Sequence, residues 1–238
     1  KNIMNKKIKV ILQARTGSKR LYGKVLLPIC GQSLITLCWK RIKDIKFDII
    51  VAIPKDKEDN KLAKILKKKK IKFFRGERDN VLSRFKKITS TMNPEDIIIR
   101  VTADNPIVDS FFLNKLVSEF IKKKFKYLSS HDNVIYSPFG LQAEVFRVKF
   151  LREKLPVNKY NLEHVTPAIR NKYKSNKKIK IKNLKNYSNL RVTIDNKGDY
   201  ERIKEIFNAS LNNYKENYIN LLNNYKKRQK KINNQKLN

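Results

Sequence analysis

At 238 residues with 40% apolar side chains, the chain suits one large α/β domain with a real hydrophobic core. Six glycines and seven prolines exclude a collagen-like or low-complexity chain. The formal charge of +35 favours anionic ligands. It is mostly lysine, spread in runs such as Lys67 to Lys70 and Lys122 to Lys124 among abundant Asn and Ile, so it reads as AT-rich coding drift on solvated faces rather than a nucleic-acid groove.

In chain order, Lys1 to Lys9 is basic, but the apolar run that follows, Val10 to Leu12, is too short for a signal peptide. Ile8 to Leu12 reads as a strand buried on both faces. Ser33 to Ile42 reads as a helix with Ser33 as N-cap. Cys30 and Cys38 bracket that region; their spacing fits neither a zinc knuckle nor a redox pair, so both are expected as reduced thiols of a cytoplasmic protein. Asp48 to Ile53 is a second strand closed by Pro54, Glu58 to Leu66 a helix, and Ile71 to Phe74 a third strand. Val81 to Ile88 is a helix, Ile97 to Val101 a fourth strand and Phe111 to Phe120 another helix. Strand and helix thus alternate over about 120 residues, the pattern of a parallel sheet covered by helices.

The second half is less regular. Leu141 to Val148 is expected as a strand, Leu162 to Asn171 as a helix, and Ile179 to Ile181 and Leu190 to Ile194 as strands. Arg202 to Phe207 is expected as a helix, and Tyr218, Leu221, Leu222 and Tyr225 recur at helical spacing. The polar residues 226–238 are expected to fray. His131 and His164 are too few and too far apart for a metal cluster, and no apolar stretch approaches the ~20 residues that span a bilayer.

Ligands of such sheets sit beyond the C-terminal strand ends. The first strand leads there into a loop with two glycines, Gly17 and Gly23, and four cations, Arg15, Lys19, Arg20 and Lys24. Glycine-freed backbone N–H groups backed by Arg and Lys are what a phosphate cradle requires. It is not a Walker loop: the gap between the glycines is one residue too long, and Val25 stands where Ser or Thr should bind magnesium. Asp104 and Asp195 each follow a β-branched run, which places both at strand ends. Either alone reads as a turn or cap residue.

The run from Gln13 through Leu26, Gln-Ala-Arg-Thr-Gly-Ser-Lys-Arg-Leu-Tyr-Gly-Lys-Val-Leu, resembles the N-terminal signature of cytidylyltransferases that make CMP-sugars, in the form of the spore-coat polysaccharide biosynthesis F type. The enzymes that make CMP-Kdo and CMP-sialate share a looser form. Further matches follow in order: Arg75 to Phe85, Arg100 to Pro106, Glu163 to Pro167 and Arg191 to Asp195. The resemblance implies a glycosyltransferase-A-like nucleotidyltransferase fold, a mainly parallel α/β sheet forming a single domain over 1–238. An insertion at 127–185 would serve the acceptor and homodimer contacts. It implies CTP and a sugar or sugar-acid acceptor as partners, without specific nucleic acid, and transfer of CMP with release of pyrophosphate for surface polysaccharide.

Residue by residue, it implies Arg15 and Lys24 as catalytic cations. Gln13, Ala14, Gly17, Ser18, Arg20 and Thr102 would join them on the nucleotide, with Asp79 and Arg84 near the nucleoside. Asp104 and Asp195 would hold Mg2+, and Glu163 and His164 would contact the acceptor. Asp79 or Asn80 equally reads as the cap of the helix from Val81, and His164 as an ordinary packed histidine. Gln142 and Glu144 occupy positions where related enzymes place acceptor contacts, and are read here as structural. Departures are Tyr22 for proline, Ala103 for glycine, and Asn196 to Asp199 for an acidic, proline-containing run. The rival readings are a glycosyltransferase, for which Asp104-Asn105-Pro106 lacks the Asp-x-Asp motif, and a basic nucleic-acid-binding module.

Overall fold

The computed structural model describes residues 6–154, 156 and 158–235. Strand β1 (Ile8–Gln13) leads through the basic loop into a small hairpin of β2 (Pro28–Ile29) and β3 (Gln32–Ser33), then α1 (Leu34–Ile42). The alternation continues with β4 (Asp48–Pro54), α2 (Asn60–Lys68), β5 (Phe73–Gly76), α3 (Val81–Ile88), β6 (Ile97–Thr102) and α4 (Ser110–Lys122). After it come β7 (Tyr127–Ser129), α5 (Ser130–Asn133), β8 (Glu144–Arg147), α6 (Val148–Arg152), α7 (Lys159–His164), α8 (Pro167–Tyr173), α9 (Lys197–Asn208) and α10 (Tyr218–Gln235).

The main sheet has the order β5-β4-β1-β6-β8-β7. The four strands of the first half are parallel, and β8 runs antiparallel to β6 and to β7. Alternate side chains of the central strands enter two separate cores. Val10, Leu12, Val51, Ile53, Ile97 and Ile99 pack on one face. Ile11, Ile50, Ala52 and Ile98 pack on the other. Burial on both faces is why these strands are continuous apolar runs rather than alternating ones. β1 is flanked by β4 and β6, so Gln13 and Thr102 end side by side in register at one sheet edge.

Several expectations are corrected. The helix expected over 162–171 is two helices, because the Pro167 ring cannot continue α7. Val165 between them has φ +69°, and Thr166 N–H donates to the His164 carbonyl at 2.8 Å in a tight turn. Ile179 to Ile181 and Leu190 to Ile194 are not strands. Each makes a single bridge, Ile179 to Val134 and Arg191 to Phe139, because they lie against loops rather than a sheet edge. The polar segment from 226, expected to fray, is helical through Gln235. Its first turns are anchored by buried Tyr218, Leu221 and Leu222, and its Lys, Arg and Gln are good helix formers. Residues 236–238 lie outside the described residues.

Candidate active site

The basic loop is folded around Thr16. Its N–H and Oγ1 both donate to Asp59 Oδ1 at 2.8 Å. Its carbonyl accepts the N–H groups of Ser18 at 2.8 Å and Gly23 at 2.9 Å. Thr16 and Asp59 are both buried, so the loop is closed on itself and pinned to the 3-10 turn Lys57–Asp59 ahead of α2. Ala14 N–H donates to the Ala52 carbonyl at 3.1 Å, extending the β1–β4 register one residue into the loop. Gly23 takes φ +67° and opens a 3-10 turn that buries Lys24.

Lys24 is the centre of the site. Its Nζ donates to the Ile194 carbonyl at 2.6 Å, to Asp104 Oδ2 at 3.1 Å and to Asp195 Oδ1 at 3.3 Å. Two carboxylates 91 residues apart in the chain thus converge on one ammonium. The segments carrying them are stitched directly, since the Asp104 carbonyl accepts both Ile194 N–H at 2.8 Å and the Thr193 hydroxyl at 3.2 Å. Asp195 follows an extended segment, not the strand expected there. It is held in place by Arg20 at 2.9 Å, by Arg191, and by its own N–H donating to Asp199 Oδ2 at 3.0 Å. Asp199 is buried and also accepts from Arg191 Nε at 3.0 Å and Arg202 at 2.9 Å. Burial raises the Asp199 carboxyl, but the Asp195 N–H and the two guanidinium groups outweigh it and hold the group below the usual range.

These groups wall a cavity of about 410 Å3. Of the residues expected on the nucleotide, Gln13, Ala14, Arg15, Ser18, Arg20, Lys24 and Thr102 line it, as do Asp104, Asp195, Glu163 and His164. Arg15 pairs with Glu163 at 3.0 Å across the opening. The Tyr160 ring packs on His164 with centroids 4.5 Å apart. Burial, then the charges of Arg100 and Arg15, lower the His164 pKa against the pull of Glu163.

Three expected residues do not line that cavity. Gly17 lies against the Arg78–Glu58 ion pair, where a Cβ would sit 2.3 Å from Arg78 Nη2. Asp79 is exposed, and Asn80, not Asp79, caps α3 by accepting Ser83 N–H at 2.9 Å. Arg84 is buried and donates to the carbonyls of Ala52 at 3.3 Å and Arg78 at 3.4 Å. Burial, reinforced by Arg15, lowers its pKa to about 10. Arg84 is thus committed to backbone carbonyls at the end of β4 and ahead of α3 rather than to the cavity wall.

The sequence reading gave no role to Arg100, which lines the cavity. Its Nε and Nη2 donate to Gln13 Oε1 at 3.3 and 3.1 Å, and its Nη1 to Glu144. Glu144 also accepts from the Tyr127 hydroxyl and from Thr166 Oγ1 at 2.7 Å. Burial and then Glu144 raise the Tyr127 pKa. A single arginine inside a β-branched strand was the available signal, because a charge in a central strand requires a partner.

The sequence profile of the cytidylyltransferase family matches residues 9–232. The chain belongs to the cytidylyltransferase family. The enzyme is 34% identical over 209 residues to the spore coat polysaccharide biosynthesis protein SpsF of Bacillus subtilis, covering 83% of this chain and 85% of that one. It is 38% identical over 167 residues to an uncharacterised protein of Methanocaldococcus jannaschii, covering 68% and 67%. A cytidylyltransferase structure from Leptospira borgpetersenii superposes with a TM-score of 0.82 at 27% identity, over 94% of this chain and 96% of that one. The structure of CMP:2-keto-3-deoxy-manno-octonic acid synthetase complexed with CTP shares the fold at a TM-score of 0.64 and 13% identity, over 86% and 99%.

The cytidylyltransferase is therefore a nucleotidyltransferase whose basic loop, acid pair and sheet edge meet in one cavity. Tyr22, where the family pattern has proline, is 68% exposed and outside the cavity wall. Ala103, in place of glycine, is buried with its N–H on the Gln13 carbonyl at 2.9 Å. Among the described residues no group of three or more His, Cys, Asp or Glu side chains is placed to hold a metal ion. Asp104 and Asp195 nevertheless suit a hard cation that draws its other oxygens from phosphates and water. The Lys24 ammonium lodged between them shows that the pair accommodates positive charge. No helix among the described residues is long and apolar enough to cross a membrane.

Proposed function

We propose that the enzyme transfers CMP from CTP to the hydroxyl of a sugar or sugar acid, releasing pyrophosphate, in the making of surface polysaccharide. The convergence of Asp104 and Asp195 on Lys24, beside a cavity edged by Arg15, Lys19 and Arg20, carries this reading. A triphosphate brings about four negative charges, and the cations of this loop are spaced to lie along it. The family gives the cytidylyl group, and the name of the Bacillus relative supports the polysaccharide context.

In the proposed reaction the acceptor oxygen forms a bond to the α-phosphorus and the bond to the α,β-bridging oxygen breaks. Pyrophosphate leaves with that electron pair and the hydroxyl proton passes to water. Asp104 and Asp195 would hold Mg2+, which when bound supplies charge neutralisation at the phosphates. Arg15 and Arg20 hold the phosphate chain in line, and Lys24 meets the charge that accumulates during transfer. Exchange of partners is built into this arrangement: Arg15 leaves Glu163, and Arg20 leaves Asp195, when phosphates arrive. The proposal extends to a homodimer formed through 127–185 and to a cytoplasmic setting.

The test is a thermal-shift panel of the four NTPs with Mg2+, followed by pyrophosphate release. CTP alone should raise Tm, because a ligand bound only by the native state stabilises it by mass action. Lys24→Ala and Asp104→Ala should each lower pyrophosphate release about a hundredfold or more. Near-normal release by both variants would remove the assignment.

A further inference from the structure

A row of polar side chains crosses four neighbouring strands: Tyr127 of β7, Glu144 of β8, Arg100 of β6 and Gln13 of β1. Side chains two apart on a strand share a face. Ile11, Ile98 and Phe146 pack in one apolar core, so Gln13, Arg100 and Glu144, each two positions along, continue that face. Arg100 and Glu144 stand opposite each other in register. Gln13 lies diagonally across, two residues beyond Ile11, the register partner of Arg100 on β1.

The partners along this row leave one hydrogen-bond arrangement. Glu144 accepts on Oε1 from the Tyr127 hydroxyl and from Thr166 Oγ1, and on Oε2 from Arg100 Nη1. Held from that side, the guanidinium turns Nε and Nη2 to Gln13 Oε1, at 3.3 and 3.1 Å. A guanidinium has donors only, so the amide oxygen must face it and the NH2 must face away. The reversed amide would set donor against donor and lose both bonds. Gln13 Nε2 has no acceptor among the described residues and is not enclosed by protein, in a side chain that lines the larger cavity. It is a donor of fixed sense, offered to the occupant of that cavity. The side chains of Arg100 and Glu144 are 14% and 17% exposed, so the grip operates largely away from water, where a hydrogen bond to a charged group is stronger.

Resting on the nucleotidyltransfer reading, we infer that Arg100 is a positioning residue. Through its hold on Oε1, backed by Glu144, it fixes Gln13 so that the NH2 donates to an acceptor atom of the bound nucleotide. Gln13 stands two residues ahead of Arg15, about 7 Å along extended backbone, so a nucleotide that engages Arg15 is within reach of the amide. An unheld glutamine would present either end to the ligand, and ordering it would draw on binding energy. Here the ordering is completed when the sheet forms.

The test is calorimetric titration of CTP with Mg2+ into the full chain carrying Gln13→Met, Arg100→Lys or both, with the ligand-free Tm of each recorded. Met has no donor, and Lys keeps the charge facing Glu144 but lacks the fixed fork that holds one oxygen with two N–H groups. Each single change should raise Kd about tenfold, the worth of one hydrogen bond. The double variant should also lose only about tenfold, because Arg100 acts through Gln13. A roughly hundredfold loss in the double variant would show the two residues acting independently and overturn the inference. Unchanged CTP affinity in either single variant, with or without a lower Tm, would overturn it as well. Should Arg100→Lys fail to fold, Gln13→Met decides, since it leaves the Arg100–Glu144 pair in place. If the unmodified enzyme binds no CTP, the nucleotide reading falls and this inference with it; CTP binding that survives both single changes removes this inference alone.

Discussion

Asp199 illustrates how much of the site is decided by residues that touch no substrate. It takes the backbone N–H of Asp195 on one oxygen and two guanidinium groups on the other, while Asn196 Oδ1 accepts its own N–H at 2.9 Å to start α9. The metal-ligand candidate Asp195 is thereby held from behind, with Arg191 gripping Asp199 and Asp195 together. Removing such a supporting group commonly costs 10–100-fold in metal affinity. Asp199→Asn should therefore raise the Mg2+ concentration for half-maximal pyrophosphate release at least about tenfold. At saturating Mg2+ most of the rate should return, a separation that a mere loss of folded protein would not produce. Asp199 was visible in the sequence only as a departure from the family pattern; its role needed the fold of the α9 N-terminus.

At the scale of elements, the parallel half of the sheet and the second half of the chain differ in legibility. The helix α3 runs over the same residues that its apolar spacing and polar cap predict, because those signals are local. The segment 190–194 reads as a strand in the sequence because β-branched residues favour extended backbone whether or not a sheet edge is present. Its position is set instead by long-range bonds: Phe139 N–H to the Leu190 carbonyl at 2.9 Å, Val192 N–H to the Phe139 carbonyl at 2.7 Å, and Ile194 to Asp104. Gly140 makes that crossing possible. Its φ is +103°, and a Cβ there would lie 2.4 Å from Thr193 N, a backbone atom that cannot step aside. Gly140→Ala is expected to cost about 3 kcal/mol from backbone strain alone. That should lower Tm by roughly 6–12 °C in a chain of this size. Because the strain bears on 190–195, the CTP-and-Mg2+ shift should shrink as well; a variant with unchanged Tm would show that the crossing is not held by glycine.

Across the whole molecule, one buried ion pair ties the sheet's helical cover to the C-terminal segment. The Arg41 guanidinium of α1 reaches Asp109 at 3.4 Å and donates to the carbonyls of Ile107, Tyr214 and Glu216 at 2.9, 2.6 and 2.8 Å. Asp109 caps α4 through Phe112 N–H and receives Tyr218 N–H, the first residue of α10. Burial raises the Asp109 carboxyl while Arg41 and those N–H groups oppose it, and burial lowers the Arg41 pKa. Arg41→Met would leave Asp109 as an uncompensated buried charge and three carbonyls without their donor. The expected loss is about 3–5 kcal/mol, read as a fall in thermal midpoint with the nucleotide cavity's own side chains untouched.

The order of the main strands and helices in the first half and the basic loop were legible in the sequence itself, whereas the two acidic candidates came from the family resemblance. The former rest on hydrophobic period, glycine placement and residue type, all of which act within a few positions. What only the tertiary structure decided is which distant groups share a site. It brought Asp195 beside Asp104 without a strand, committed Arg84 to the Ala52 carbonyl, and gave Arg100 its partners Gln13 and Glu144. Those outcomes depend on hydrogen bonds and ion pairs between residues tens of positions apart, whose geometry exists only once both cores have packed against the sheet.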